Sequence, residues 1–393
     1  YNQHAHHLPE RDQWRWEHAT DFLEAWKVQV YSTNYIRTVM SAQSFLDGLL
    51  GTHCFAPSME RRADPLITKE LFVPDHAWVR ERFFNDNIGD DEHNNTSTSD
   101  STQHLVPIHV RKLSQDPLNA FDRNPELMAR LVKSVMKSPE FHARDSAAAP
   151  LASRLSKIMP GLIRPTRSGF ASRSPSGINW VEAADHFVCR ESHNIPLAKF
   201  SNFENDDRVE QTLKSMSNQT KTHLSWRFRQ WYQTKPLLAA IAAPPLREIV
   251  DQMTQTINLP MGASQKRPFC LYACHDITIL GLLYGLGASF LRDETSVGSD
   301  YWPPYASTLV FELVRISPSK TTTSSTTAKD DFVLRILVFD AGVITHVIEC
   351  MDPTSHAPRG SGLDGMMRVQ DLEQIVQEHE EVGGDCAKLE PNA

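Results

Sequence analysis

No stretch of this chain is apolar for long enough to cross a bilayer. The longest such run, Ile277 to Leu291, contains three glycines and stops short of the ~20 residues a span requires. Cysteine is sparse: six in 393 residues, scattered and never as a C-x-x-C pair, which excludes a disulfide scaffold and argues against a structural zinc site. Lysine and arginine form no block, and 40 basic against 48 acidic residues leave a net charge of −8. A nucleic-acid partner is therefore not expected. Also missing are the Gly-rich phosphate loops G-x-x-x-x-G-K-[ST] and G-x-G-x-x-G and the G-x-S-x-G nucleophile elbow. The chain opens on Tyr1 with neither a signal nor a transit peptide, so the expectation is a fragment or processed product. The sequons at Asn94, Asn95 and Asn218 would matter only in a secreted chain.

What is present is ordinary globular composition, 40% hydrophobic and 22% charged, enough for one large core or two domains. Val28 to Tyr31 alternates like a strand, and Asn34 to Leu50 carries Ile36, Val39, Met40, Leu46, Leu49 and Leu50 at helical spacing, with Ser32 or Thr33 to cap it and Gly51 to end it. Phe269 to Ala273 followed by Ile277 to Leu286 and Gly287 repeats the strand-then-helix unit. Further helical patterns run through Pro125–Lys137, Val209–Thr222 and Pro236–Ile257, the last expected to break at Pro244 and Pro245. Ala306–Ile316 and Phe332–Phe339 read as a hairpin with an enlarged loop, Ser317 to Asp331. Gly89 to Gln103 reads as a second surface loop, and Ser146 to Ser176 as a weakly ordered excursion or linker. Strands alternating with helices define an α/β class.

In such folds ligands gather at the carboxyl ends of strands, where helix N-termini offer N–H groups. His275 and Asp276 occupy such a place. A histidine there can hold or receive a phosphoryl group and an adjacent carboxyl group can protonate a leaving oxygen; equally, His275 can cap the helix and Asp276 complement its dipole. Arg37, one turn into the helix after Ser32, either grips an oxyanion through its planar fork or forms a structural ion pair. Trp302-Pro303-Pro304-Tyr305 either walls a pocket or closes the core. His186 and His193 read mainly as structural, and His4, His6 and His7 lack a second ligand set for a metal.

Taken in order, these residues resemble the histidine acid phosphatases. Leu271-Tyr272-Ala273-Cys274-His275-Asp276-Ile277-Thr278, a Leu/Gly-rich helix, Pro303-Pro304-Tyr305-Ala306-Ser307 and Leu309-Val310-Phe311-Glu312-Leu313 are similar to that family's C-terminal half. Ser32 to Ala42 resembles its Arg-Ser-Thr helix, and Pro358-Arg359-Gly360 with Ser192-His193-Asn194-Ile195-Pro196-Leu197 looks like the lysophosphatidic acid phosphatase type. The resemblance implies a mainly parallel sheet with helices on both faces plus a mostly helical cap domain, as in phosphoglycerate mutases and acid phosphatases. Residues 1–60 and 261–393 would then build the α/β domain and 61–260 the cap.

It also implies a chemistry that needs no metal or other cofactor. A histidine of an Arg-His-Gly-x-Arg-x-Pro motif attacks phosphorus, His275 matches the histidine that binds the phosphoryl group, and Asp276 matches the general acid. Arg37 matches an arginine after the Arg-Ser-Thr turn. The expected partner is a small phosphorylated substrate, a lysophospholipid among the options. Two departures follow. Tyr31 stands where the family has the phosphate-binding arginine, leaving a neutral hydroxyl donor in place of a cation, and Arg-His-Gly occurs nowhere in the 393 residues. The expectation is a phosphomonoesterase whose first strand and nucleophile lie upstream of Tyr1, with a non-catalytic phosphate-binding relative as the rival.

Overall fold

The computed structural model describes residues 19–50, 106–159, 178–198, 207–259, 266–291, 301–316, 331–350 and 365–388. In chain order the elements are α1 (Ala19–Ala25), β1 (Trp26–Ser32), α2 (Ile36–Leu50), β2 (Ile108–Val110), α3 (Ala120–Arg123), α4 (Pro125–Met136), α5 (Pro139–Ala147), α6 (Ala149–Ile158), α7 (Trp180–Ser192), α8 (Asp207–Tyr232) and α9 (Lys235–Ile257). They continue with β3 (Arg267–Ala273), α10 (Asp276–Gly285), β4 (Thr308–Arg315), β5 (Phe332–Asp340), β6 (Val343–Val347), β7 (Met366–Arg368) and α11 (Val369–Lys388). The chain divides into two compact units, Tyr1–Asn119 with Asn258–His275 and Ala120–Ile257 with Asp276–Ala393.

In the first unit β2, β1 and β3 form a parallel sheet in that order. The β1 alternation puts Val30 and Ser32 inward, and Val30 joins Phe22, Ala42, Leu46, Val106 and Ile108 in the core. Phe269 of β3 meets Phe22 and Trp26 edge-on, at 5.5 and 6.2 Å between ring centroids. Both strand-then-helix units are where the sequence pattern puts them. Helix α2 begins only at Ile36, because residues 33–35 make a turn in which the Tyr35 N–H donates to the Thr33 carbonyl at 2.8 Å.

The second unit carries the remaining helices and an antiparallel sheet, order β4-β5-β6, with β7 also pairing with β5. The hairpin read from Ala306–Ile316 and Phe332–Phe339 is the β4–β5 pair, in register from Thr308↔Phe339 to Arg315↔Phe332. The α/β class thus holds, with the parallel strands in one unit and the antiparallel strands in the other. Among the described residues no helix is long and apolar enough to cross a membrane.

Two expectations need correcting. Residues 146–158 are helical rather than weakly ordered: Ala152 and Leu155 of α6 are buried, and Leu151 and Ile158 pack against the same core, an apolar face hidden in an Ala/Ser-rich composition. Residues 160–177 of that stretch, like Gly51, the Gly89–Gln103 loop, most of the Ser317–Asp331 loop and the N-terminal histidines, lie outside the described residues. Helix α9 runs through Pro244 and Pro245 instead of breaking. Pro244 has no N–H for the Ala240 carbonyl four residues earlier, and the Arg123 guanidinium donates to that carbonyl at 2.8 Å. A side chain from α3 thereby replaces the first of the two backbone bonds that the prolines remove.

Helix α10 is apolar all round and lies against α9 through its glycines. A Cβ built on Gly281 would come within 2.6 Å of Ile241 Cγ2, and one on Gly285 within 2.5 Å of Ala242 Cβ. Deeper in the helical layer, Asp145 is buried with His223, which donates to its Oδ1 at 3.0 Å, and with Arg227, which donates to the same oxygen. Burial by itself would raise the Asp145 carboxyl, but the His223 hydrogen bond and the Arg227 charge outweigh it and hold the group below its ordinary value.

Asp145→Asn should leave the Arg227 charge uncompensated and cost about 3–5 kcal/mol in denaturant unfolding. Because the folded carboxyl titrates lower than the unfolded one, its contribution is present above about pH 4 and lost as pH falls through the depressed value. A thermal-melt series across acidic pH should therefore lose its steepest part in the variant. Gly285→Ala should separately destabilise by about 1–3 kcal/mol, since the clash is with a rigid methyl group rather than a flexible side-chain end.

Candidate active site

Strand register sets the site in the first unit. Ser32 pairs with Ala273 and the Thr33 N–H donates to the Ala273 carbonyl at 3.1 Å, so the turn after β1 runs beside the end of β3, where His275 stands two residues on. Thr33 Oγ1 lies 3.2 Å from His275 Nε2, and Arg37 Nη2 lies 3.1 Å from His275 Nδ1. A guanidinium has donors only, so a hydrogen bond here requires Nδ1 to accept and leaves Nε2 to face Thr33. Behind Thr33, the Thr38 hydroxyl lies 2.9 Å from Thr33 Oγ1 and receives the Ser32 hydroxyl at 3.1 Å, all three side chains being buried. The Tyr35 ring stands edge-on to the His275 ring at 4.9 Å, and the Arg37 guanidinium lies over Tyr35, also at 4.9 Å. Arg37 itself is exposed. The arrangement is an imidazole beside a solvent-facing cation, able to receive an anion.

Tyr31 lies on the face of β1 opposite Val30 and Ser32. It pairs with His109 on one side and Tyr272 on the other, its ring stacking on Tyr272 at 5.2 Å and tilting against His109 at 5.6 Å. The Arg111 guanidinium sits over the Tyr31 ring at 4.4 Å. A cation therefore accompanies Tyr31, delivered from the end of β2 rather than from β1.

In the second unit Asp276 opens α10. Its Oδ1 accepts the Ile277 backbone N–H at 2.8 Å and its Oδ2 accepts the Trp302 indole N–H at 2.9 Å. The Tyr232 hydroxyl donates to the Ile277 carbonyl at 2.9 Å. Burial first, and then the Asp276 carboxylate, push that phenol well above its usual range, so it stays a donor. Tyr305 OH lies 2.8 Å from Cys189 Sγ and is raised by burial and by that neighbour.

The structure brings His275 and Arg37 together and places Tyr31 in an aromatic row with His109 and Tyr272. His186 lies on α7 with its imidazole lowered by burial and by Arg190. Sequence reasoning passed over Thr38, Tyr35, Arg111 and Tyr232. Thr38 was findable as the polar residue on the inner face of α2; Arg111 and Tyr232 carry no local signal, since their partners are far away in sequence. The described cysteines Cys189, Cys270, Cys274 and Cys350 are thiols rather than disulfides.

Residues 15–338 match the family model of the histidine phosphatase superfamily (branch 2), and the chain belongs to that superfamily. It is 23% identical to lysophosphatidic acid phosphatase type 6 of Bos taurus over 169 residues, 42% of this chain and 34% of the bovine protein. The match spans about a third of the length of that curated relative. Among solved structures, the crystal structure of Klebsiella sp. ASR1 phytase aligns over 91% of this chain and 77% of its own, at a TM-score of 0.42 and 14% identity.

The tautomer is directly measurable. In imidazole-selective nitrogen NMR, His275 should show a protonated Nε2 and an unprotonated Nδ1. Arg37→Leu should mix the two tautomers. A wild-type spectrum with the proton on Nδ1 would refute the geometry.

Proposed function

We propose that the protein containing this chain hydrolyses phosphate monoesters, with His275 and Arg37 holding phosphoryl oxygens and Asp276 as the general acid. The observation that supports this reading is the His275-Asp276 pair at the strand-to-helix junction, with the Arg37 guanidinium 3.1 Å from the imidazole and the carboxyl group met at both oxygens. Membership of the histidine phosphatase superfamily supports it. In the proposed sequence a histidine nucleophile of the family's type attacks phosphorus through a ring nitrogen, the P–O ester bond breaks, and the Asp276 proton passes to the departing alkoxide oxygen. Water then cleaves the phosphohistidine, releasing phosphate and restoring both groups. Tyr31, in the position of the family's phosphate-binding arginine, offers the substrate a neutral hydroxyl donor, with the Arg111 guanidinium over its ring. Of residues 61–260, expected to form the cap, Ile108–Val110 pairs into the parallel sheet, and we further propose that the helices of residues 120–257 supply the cap.

Among phosphate monoesters a lysophospholipid is the first to test, since the bovine relative is named for lysophosphatidic acid. The second reading is a phosphate-binding protein without turnover. It is favoured by one observation, that Tyr31 fills a strand position with an aromatic stack instead of a cation.

Asp276→Asn in the complete gene product should slow hydrolysis of alkyl phosphates by about 10²- to 10⁴-fold while sparing p-nitrophenyl phosphate, whose leaving group departs unprotonated. Equal losses on both substrates would remove the general-acid assignment. Binding of inorganic phosphate by the complete product with no hydrolysis of either ester would replace the enzyme reading by the binding one.

A further inference from the structure

Trp302 makes a contact that a space-filling aromatic does not need. An indole N–H can only donate, and here it is aimed at Asp276 Oδ2 at 2.9 Å while the Ile277 N–H holds Oδ1 at 2.8 Å. One carboxyl group is gripped from two directions, which fixes its plane and leaves defined lone pairs for its own proton. Both donors also favour the carboxylate that remains once that proton has been given away.

The segment bearing the indole is itself fastened. The hydroxyls of Tyr301, just before Trp302, and of Ser307, at the end of the Pro-Pro-Tyr-Ala-Ser stretch, donate to Asp340 Oδ1 at 3.2 and 2.5 Å. The Thr345 hydroxyl reaches Asp340 Oδ2 at 3.0 Å. Asp340 ends β5, immediately before the tight turn at Ala341 and Gly342, whose φ values are 51° and 82°. A single carboxylate on a β-hairpin thereby ties both ends of residues 301–307, and Pro303 and Pro304 remove two backbone torsions between the ties. Phe228 of α8 meets the indole edge-on at 5.2 Å, and Tyr232, one turn further along α8, holds the Ile277 carbonyl. The donor and its acceptor are thus braced by the same helix.

We propose that Trp302 is a positioning residue for the general acid, held in place by the Asp340 clamp, and that it lowers the barrier to leaving-group departure by orienting Asp276 and stabilising its carboxylate as the proton leaves. This rests on the general-acid reading of Asp276. In the complete gene product Trp302→Phe keeps a ring against Phe228 and removes only the donor. It should lower kcat for glycerol phosphate about ten- to a hundredfold, with p-nitrophenyl phosphate within about twofold and KM little changed. The ratio of the two rates is read in one sample, so it does not depend on how much of the variant is folded.

A loss shared equally by both substrates, or no loss, in Trp302→Phe beside a selective Asp276→Asn overturns this inference and leaves the general acid standing. An unselective Asp276→Asn overturns the general acid and this inference with it. A second measurement needs no turnover: the Trp302 indole N–H resonance, identified by its disappearance in Trp302→Phe, should shift markedly in Asp276→Asn. An indole signal blind to that substitution overturns the hydrogen bond on which the inference stands.

Discussion

The parallel register of β1 and β3 is the constraint on which the candidate site depends. Because Ser32 lies opposite Ala273, the turn that follows β1 runs past the end of β3, and Thr33 and Arg37 come to opposite nitrogens of the His275 ring. A slip of one residue would exchange the two faces of β1, turning Tyr31 into the core and Val30 out of it. The fully buried Val30 and the aromatic row of His109, Tyr31 and Tyr272 oppose that slip from both faces. Packing that looks purely structural therefore sets which groups flank an imidazole two residues beyond the strand.

The second unit solves a different problem, how to keep polar groups inside an apolar helical layer. Its answers are all long-range. Arg123 satisfies the carbonyl that Pro244 abandons, His223 and Arg227 share Asp145, and Tyr232 caps a first-turn carbonyl of α10. Each is a donor supplied by one helix to an acceptor on another. The same logic holds Asp276, whose two oxygens are met by a backbone N–H and an indole.

How much of this was legible follows from the range of the forces concerned. Strand β1, helices α2 and α10 and the β4–β5 hairpin were readable because apolar periodicity and turn residues are local. Helix α6 was missed because alanine and serine blur the pattern while Leu151 and Leu155 still bury one face. The continuity of α9 was missed because the carbonyl that proline leaves open is satisfied by Arg123, more than a hundred residues away. Among the candidate residues, His275, Asp276 and Arg37 stood out by residue type at a strand end. Tyr31 stood out as a departure from the family pattern, but nothing near it announced that Arg111 would bring a cation onto its ring.

By itself the sequence determined the α/β class, the two strand-then-helix units, the family resemblance and the identity of the groups available for acid-base and anion chemistry. These are encoded in short windows, where side-chain type and spacing act through neighbouring backbone. Only the tertiary structure decided which groups flank the two nitrogens of His275, which donors meet Asp276, and that Trp302 packs on the core while its indole N–H reaches that carboxyl group. Those outcomes hang on hydrogen bonds between residues far apart in the chain, such as Arg37 with His275 and Trp302 with Asp276, and such bonds exist only once strand register and helix packing have brought donor and acceptor within about 3 Å.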